Sequence, residues 1–384
     1  MTHIFEKDHL DKVDHGLADT KAIVTIKSKV DGSGKGALYY EGYSIEELAD
    51  KSTFEEICFL LHNDRLPKDK ELVDFSAGLA NKRALTKETA GILKQVSKDE
   101  PMAMLRTAVS TLSASAQGDD EQKAMDLISK FASIVAAIYR TRQGLDIVDP
   151  DSSLSTAADF LHMLKGEQPE ENDAMLLDAL MIIMADHGMN ASTFTARLVT
   201  STDSDIYSAI TAAVSALKGP LHGGANEEAI KMIDVLDRKF KDSDDLKNDV
   251  EDWVKEQLSQ KKKIMGIGHR VYKGGDPRAR ILRKRINELL GDDDRMFIIA
   301  DTIDMFMQKE KGLSANCDLY SGILYARLGI PEELFTLMFA MSRIAGWTAH
   351  VLEQKANNKL IRPKGVYVEE VRPLGQKYVP ISNR

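Results

Sequence analysis

Cysteine is almost absent: Cys58 and Cys317 are the only two in 384 residues. Two thiols so far apart exclude a disulfide framework and a cysteine-based metal site, and they fit a reducing cytoplasm. Charge of one sign is nowhere concentrated. The net charge of −9 comes from interspersed residues without an acidic or basic tail, which favours solubility and argues against a nucleic-acid partner. The opening residues, MTHIFEKDHLDKVDH, are polar and carry no secretory signal. Solenoid periods and low-complexity tracts are missing too. Only one apolar run, residues 334–352, is long enough to cross a bilayer, and Arg343 stands at its centre. An arginine there would cost at least about 2.5 kcal/mol in a membrane, so the run predicts a buried helix and no membrane partner. That arginine then requires an anion or a carboxylate beside it. What is present is ordinary globular composition, 43% hydrophobic and 29% charged, in a chain long enough for two domains.

Residues 22–30 (AIVTIKSKV), the turn DGSGKG and then ALYY predict a single N-terminal β-hairpin. After it the apolar spacing is helical throughout. Ser44-x-x-Glu47 and Thr53-x-x-Glu56 read as capping boxes. Helical runs follow at 69–79, 86–98, 102–115, 120–139, 155–164, 173–184 and 204–218, the run 173–184 being apolar all round. Residues 242–263 mix both signs and read as a solvated face.

The chemistry-bearing residues sit where these runs are interrupted. In KGPLHGGANEE, Gly219 and Pro220 stop one helix and Asn226 opens the next, so His222 lies near a helix N-terminus. The dipole there disfavours imidazolium, and a neutral ring can donate to a carbonyl that gains negative charge. In DHGMNAST, His187 either belongs to a capped turn or faces a ligand from the end of a rigid helix. In KIMGIGHRVYKGGDPR, the Gly266-Ile267-Gly268 piece lacks the context of a dinucleotide fingerprint but leaves backbone amides open, with Lys263, Arg270 and Lys273 beside them for phosphates. Asp276 caps and Pro277 starts a helix with Arg278 in its first turn, a poor place for a cation unless an anion is to be held. Asp318, within NCDLYSG, is either an N-cap or a functional carboxylate. His350 reads as a structural histidine. Together these residues suggest a pocket for a dicarboxylate with carbon-acid chemistry beside it.

The blocks DHGMNASTFTAR, LKGPLHGGANEEA, KIMGIGHRVYKGGDPRA, NCDLYSG, FAMSRIAGWTAH and IRPKGVYV stand in the order and spacing of the citrate synthase family, and the chain resembles its shorter type from about Ala22 onward. The resemblance implies a mainly all-α protein. A large helical domain (1–220 and 328–384) would receive an inserted smaller helical domain (221–327), with hinges at Gly219, Gly223 and Gly224 and closure that excludes water. It implies that Asp318 deprotonates acetyl-CoA while His222 donates to the thioester oxygen and His269 polarises the ketone of oxaloacetate. His187, Arg278, Arg343 and Arg362 match the family's oxaloacetate residues, with Arg362 contributed by the partner in a homodimer. Lys263, Gly266, Ile267, Gly268, Lys273 and Asn316 match its coenzyme A contacts. No metal and no tightly bound cofactor is implied, acetyl-CoA being a co-substrate. Cys317, Leu319 and Gly188 depart from the family's common valine, phenylalanine and glutamate. Two alternatives stay open: 2-methylcitrate synthase, which takes propionyl-CoA, and a non-catalytic helical binding protein, whose mark would be the loss of His222, His269 or Asp318.

Overall fold

The computed structural model describes residues 11–14, 16–17, 20–291 and 293–384. They form two compact units, Ile26–Lys359 and a smaller one drawn from the chain ends, Met1–Thr25 with Leu360–Arg384. In the smaller unit Lys12 pairs with Glu370 at 3.3 Å and a short 3-10 turn covers Ile381–Asn383. It also holds Arg362, which is exposed.

The main unit opens with β1 (Ser28–Asp31), β2 (Ala37–Tyr40) and β3 (Tyr43–Ser44), an antiparallel sheet in which Ser28 faces Tyr40 and Asp31 faces Ala37. The hairpin is shorter than its β-branched run predicts, because its first strand begins only at Ser28, and a third strand extends it. Its turn is glycine-rich for a reason. Gly34 and Gly36 have φ of +54° and +72°, where a Cβ would be strained.

Sixteen α-helices follow among the described residues. They are α1 (Ile45–Lys51), α2 (Phe54–Asn63), α3 (Asp69–Ala80), α4 (Lys87–Gln95), α5 (Pro101–Thr111), α6 (Asp120–Arg142), α7 (Thr156–Lys165), α8 (Glu171–Met184), α9 (Ala191–Thr200) and α10 (Ile206–Leu217). Then come α11 (Ala225–Lys239), α12 (Leu246–Ser259), α13 (Pro277–Leu290), α14 (Arg295–Lys311), α15 (Cys317–Arg327) and α16 (Phe335–Ala356). Ser44 and Thr53 cap α1 and α2 by accepting from Glu47 N and Glu56 N, both at 3.3 Å, but Glu56 turns its carboxylate to Ser52 instead of closing the box. Helices α9 and α14 are not foreseen by the spacing. Helix α12 is less solvated than its charges suggest, since Val250 and Val254 are buried.

The apolar run at 334–352 becomes α16, the axis of the core, packed against α2, α6, α8, α9 and α10. Helices α11 to α15 pack mainly on one another and reach the rest through α1 and α16. No helix of the described residues is long and apolar enough to cross a membrane.

Candidate active site

Helix α8 ends in a pinned turn. Tyr40 Oη donates to the carbonyl of Asp186 at 2.9 Å and accepts from its N–H at 3.1 Å. The Asp186 carboxylate is fully buried and receives Ser28 Oγ, Gly188 N (3.2 Å) and His350 Nε2 (3.2 Å). His350 is thus structural, as expected, and its pKa is raised because Asp186 outweighs its burial. Gly188 has φ +55°, and a Cβ there would sit 3.1 Å from Val30 Cγ2, so the backbone at this turn favours glycine.

His187, held between these anchors, faces the site. Its ring lies 5.3 Å from that of His269 and 5.4 Å from that of Tyr272, and its Nε2 is 3.1 Å from Tyr272 Oη. Burial, then Arg278 and Arg343, holds its pKa well below the usual histidine value, so the ring is neutral.

His222 occupies the turn before α11, whose N-cap is Gly224 and not the expected Asn226. Its Nε2 accepts the backbone N–H of Ser192 at 3.3 Å and lies 2.9 Å from Ser192 Oγ. Ser192 Oγ in turn accepts from Trp347 Nε1 at 3.1 Å. Ser192 Oγ gives its own proton to Asn190 Oδ1 at 2.7 Å, so it is the backbone N–H at Nε2 that assigns the proton of a neutral ring to Nδ1. Burial and Arg343 bring the His222 pKa down to about 4, so the ring is a neutral Nδ1–H donor at ordinary pH.

His269 is set the opposite way. Its Nδ1 accepts the backbone N–H groups of Val271 (3.0 Å) and Tyr272 (3.2 Å), which leaves the proton on Nε2. Burial and Arg278 lower its pKa to about 4. The loop carrying it is clamped by the hairpin turn. A Cβ on Gly274 would lie 1.8 Å from the carbonyl oxygen of Gly34, and one on Gly32 would lie 2.4 Å from that of Val271. Arg280 adds hydrogen bonds to the carbonyls of Lys35 (2.6 Å) and Gly36 (3.1 Å).

Asp318 stands in the first turn of α15, and its N–H is capped by Asn316 Oδ1 at 2.9 Å, so Asn316 and not Asp318 is the N-cap. Among the described residues no group donates to the Asp318 carboxylate. Deep surroundings push its pKa up to about 6, with Arg278 and Arg343 opposing that rise.

The two arginines meet different fates. Arg278 is engaged bidentately by Asp276, Nε to Oδ1 at 3.0 Å and Nη2 to Oδ2 at 2.8 Å, which raises its pKa against the effect of burial. Asp276 is therefore both helix cap and buried counterion, the second role being invisible in the spacing. Arg343 is 1% exposed, donates through Nε to the carbonyl of Met184 at 2.7 Å and lies 4.5 Å over the Phe339 ring. Its Nη2 has no hydrogen-bond partner among the described residues. A buried guanidinium nitrogen left open is costly, and it marks a place prepared for an anion.

The expected coenzyme A loop needs correction. Gly266 and Gly268 have φ of +74° and +83°, as the Gly-x-Gly piece requires. Yet the Gly268 N–H is not open to a ligand: it donates to the Ser314 carbonyl at 2.8 Å, while Asn316 N donates to Gly266 O at 2.9 Å. Asn316 likewise spends its side chain inside the protein, donating from Nδ2 to Gly268 O at 2.9 Å as well as capping Asp318. The loop and the start of α15 are thereby tied together. Lys263 and Lys273 remain exposed, the latter reaching the His269 carbonyl at 3.3 Å.

Thus His187, His222, His269, Asp318, Arg278 and Arg343 share one electrostatic neighbourhood. Tyr272 and Ser192 join them without having been singled out, and Asp276, expected only as a helix cap, joins them as a counterion.

The chain is similar to known proteins over most of its length. The family model "Citrate synthase, C-terminal domain" matches residues 16–364. The citrate synthase of Haloferax volcanii is 43% identical over 89% of this chain and 92% of its own length. The 2-methylcitrate synthase of Shewanella oneidensis is 37% identical over 96% and 97%. The crystal structure of citrate synthase from Thermotoga maritima superposes with a TM-score of 0.86 at 38% identity, over 97% of this chain and 99% of that one. That of Thermoplasma acidophilum citrate synthase, a ternary complex with carboxymethyl coenzyme A and oxaloacetate, gives 0.88 at 34% identity, over 97% and 99%. The chain belongs to the citrate synthase family.

Proposed function

We propose that the protein condenses acetyl-CoA with oxaloacetate and hydrolyses the resulting thioester to citrate and coenzyme A. The observation that carries this reading is two neutral rings, each with a backbone N–H on one nitrogen that leaves the other to donate, beside a carboxylate of raised pKa. Asp318 removes a proton from the acetyl methyl group as His222 donates Nδ1–H to the thioester oxygen, so the enolate forms against a preset donor. The enolate carbon attacks the ketone of oxaloacetate. His269 polarises that ketone through Nε2–H and gives its proton to the new alkoxide. Water then cleaves citryl-CoA, which drives the reaction forward.

Arg278 and Arg343 bind the carboxylates of oxaloacetate with His187, and their planar forks suit that task. Arg362, from the second subunit of a homodimer, completes the set. Lys263, Lys273 and the Ile267 backbone contact coenzyme A. Residues 221–327 act as a small domain that closes over the large one about Gly219, Gly223 and Gly224, in a cytoplasmic enzyme. A Cβ on Gly223 would sit 2.2 Å from Leu217 O, so this hinge also needs glycine for packing.

The test is thiol release from acetyl-CoA that depends on oxaloacetate, run beside propionyl-CoA. Higher kcat/KM for acetyl-CoA is expected. One methylene is worth only about 1–3 kcal/mol of discrimination, so equal or better use of propionyl-CoA would make the protein a 2-methylcitrate synthase instead. No oxaloacetate-dependent release with either thioester would end the reading.

A further inference from the structure

Tyr272 belongs to none of the roles above, yet it touches both histidines assigned to oxaloacetate. Its ring lies 4.7 Å from that of His269 at an interplanar angle of 33°, and its own N–H donates to His269 Nδ1. Its hydroxyl has one partner among the described residues, His187 Nε2 at 3.1 Å. The side chain is 3% exposed, and the hairpin turn lies against it, with the Cβ position of Gly36 only 3.0 Å from Tyr272 Cδ1.

We infer that Tyr272 is a positioning residue, whose hydroxyl donates to His187 Nε2 and so fixes the His187 proton on Nδ1 as the donor offered to oxaloacetate. The inference rests on the condensation reading. A phenol is the better donor of this pair and an imidazole nitrogen the better acceptor. Burial keeps the phenol protonated by raising its pKa, and burial together with Arg278 and Arg343 keeps the imidazole neutral. A neutral ring has a single N–H, so the nitrogen that accepts from Tyr272 decides which nitrogen can donate. His187 Nδ1 has no partner among the described residues, which leaves it free for a ligand. His187 thus differs from His222 and His269, whose tautomers are set by backbone N–H groups. It depends on one side-chain hydroxyl, and that hydroxyl can be deleted without losing the ring.

The test begins with histidine-labelled wild-type protein. Two-bond proton–nitrogen correlation spectra distinguish Nδ1–H from Nε2–H, and the His187 signals are assigned by their disappearance in His187→Gln. Protonation on Nδ1 is expected; protonation on Nε2 overturns the proposal with no variant needed. Tyr272→Phe keeps the ring stack and removes the hydroxyl. The expected result is an oxaloacetate KM raised about tenfold, the scale of one misplaced hydrogen bond, with the acetyl-CoA KM within about twofold. The His187 nitrogen pattern should change with it. An unchanged oxaloacetate KM and an unchanged pattern would refute the assignment, even if the variant melted at a lower temperature. Wild-type activity measured first separates the two failures: an inactive wild type sinks the condensation reading, whereas an active wild type with an indifferent Tyr272→Phe sinks only this one.

Discussion

At the scale of single residues, function and stability oppose each other at Asp318 and Arg343. Asp318 is the one proton acceptor near the rings whose pKa, about 6, lies above its ordinary 3.8, while His222 and His269 at about 4 stay neutral through the whole range above that. For the free enzyme, kcat/KM for acetyl-CoA should therefore fall as pH drops through about 6, with a one-proton slope. An acid limb near 4 would take the base role away from Asp318. The same shift has a stability sign. Because the folded pKa is raised, the ionised form is the disfavoured one, and the destabilisation grows as pH rises from 3.8 through 6. Asp318→Asn should lower kcat by roughly 10²–10⁴-fold and leave oxaloacetate binding intact. By denaturant titration it should also gain about 1–3 kcal/mol at pH 8 and almost nothing at pH 4. Arg343 shows the same tension, as a buried cation whose Nη2 has no hydrogen-bond partner among the described residues. Arg343→Leu should melt at or above the wild-type temperature without ligand, yet lose the stabilisation that oxaloacetate confers and raise its KM by roughly 10–100-fold. A variant that melts lower and still binds oxaloacetate normally would remove Arg343 from the anion site.

At the scale of elements, the site depends on how closely α16 presses the end of α8. Gly346 N donates to Ala185 O at 3.1 Å, and a Cβ at 346 would lie 2.4 Å from Asp186 Oδ1 and 2.5 Å from Ala185 O. Two of the obstructing groups are a backbone carbonyl and a pinned carboxylate, which cannot swing aside. Gly346→Ala should destabilise by about 1–3 kcal/mol in urea and raise the oxaloacetate KM, since His187 follows Asp186 directly. Helix existence was legible because apolar spacing, Ser and Thr caps, and Gly-Pro stops speak locally. Helix α14 escaped because its apolar residues run nearly all round it, and α9 because its caps read as a turn. His222, His269 and Asp318 were readable from glycine-bounded interruptions and from the family's blocks. Asp276 as counterion, Tyr272 as the neighbour of two histidines and Ser192 as the anchor of His222 were not. Each depends on a meeting between segments far apart in sequence or on a side-chain direction, neither of which periodicity encodes. The Gly268 and Asn316 corrections have the same origin, as the loop's amide is consumed by a segment some forty-six residues downstream.

At the scale of the whole molecule, the proposed homodimer makes a sharp prediction. Asp318→Asn and Arg362→Ala should each be nearly inactive alone. If Arg362 serves the neighbouring subunit, a mixed dimer of the two variants holds one complete site. Co-expression should then restore about a quarter of wild-type activity, since half the random dimers are mixed and each has one working site of two. No restoration would place Arg362 in its own subunit's site or in none. The hairpin carries a different consequence. Its turn is finished early in the chain, but the loop it clasps and the arginine that grips Lys35 come 245 residues later. At about 5–20 residues per second, a ribosome needs roughly 12–50 s to cover that interval. Throughout it the nascent strand pair has no mate for its bare main-chain groups, so catalysis is among the last properties this polypeptide acquires as it is made.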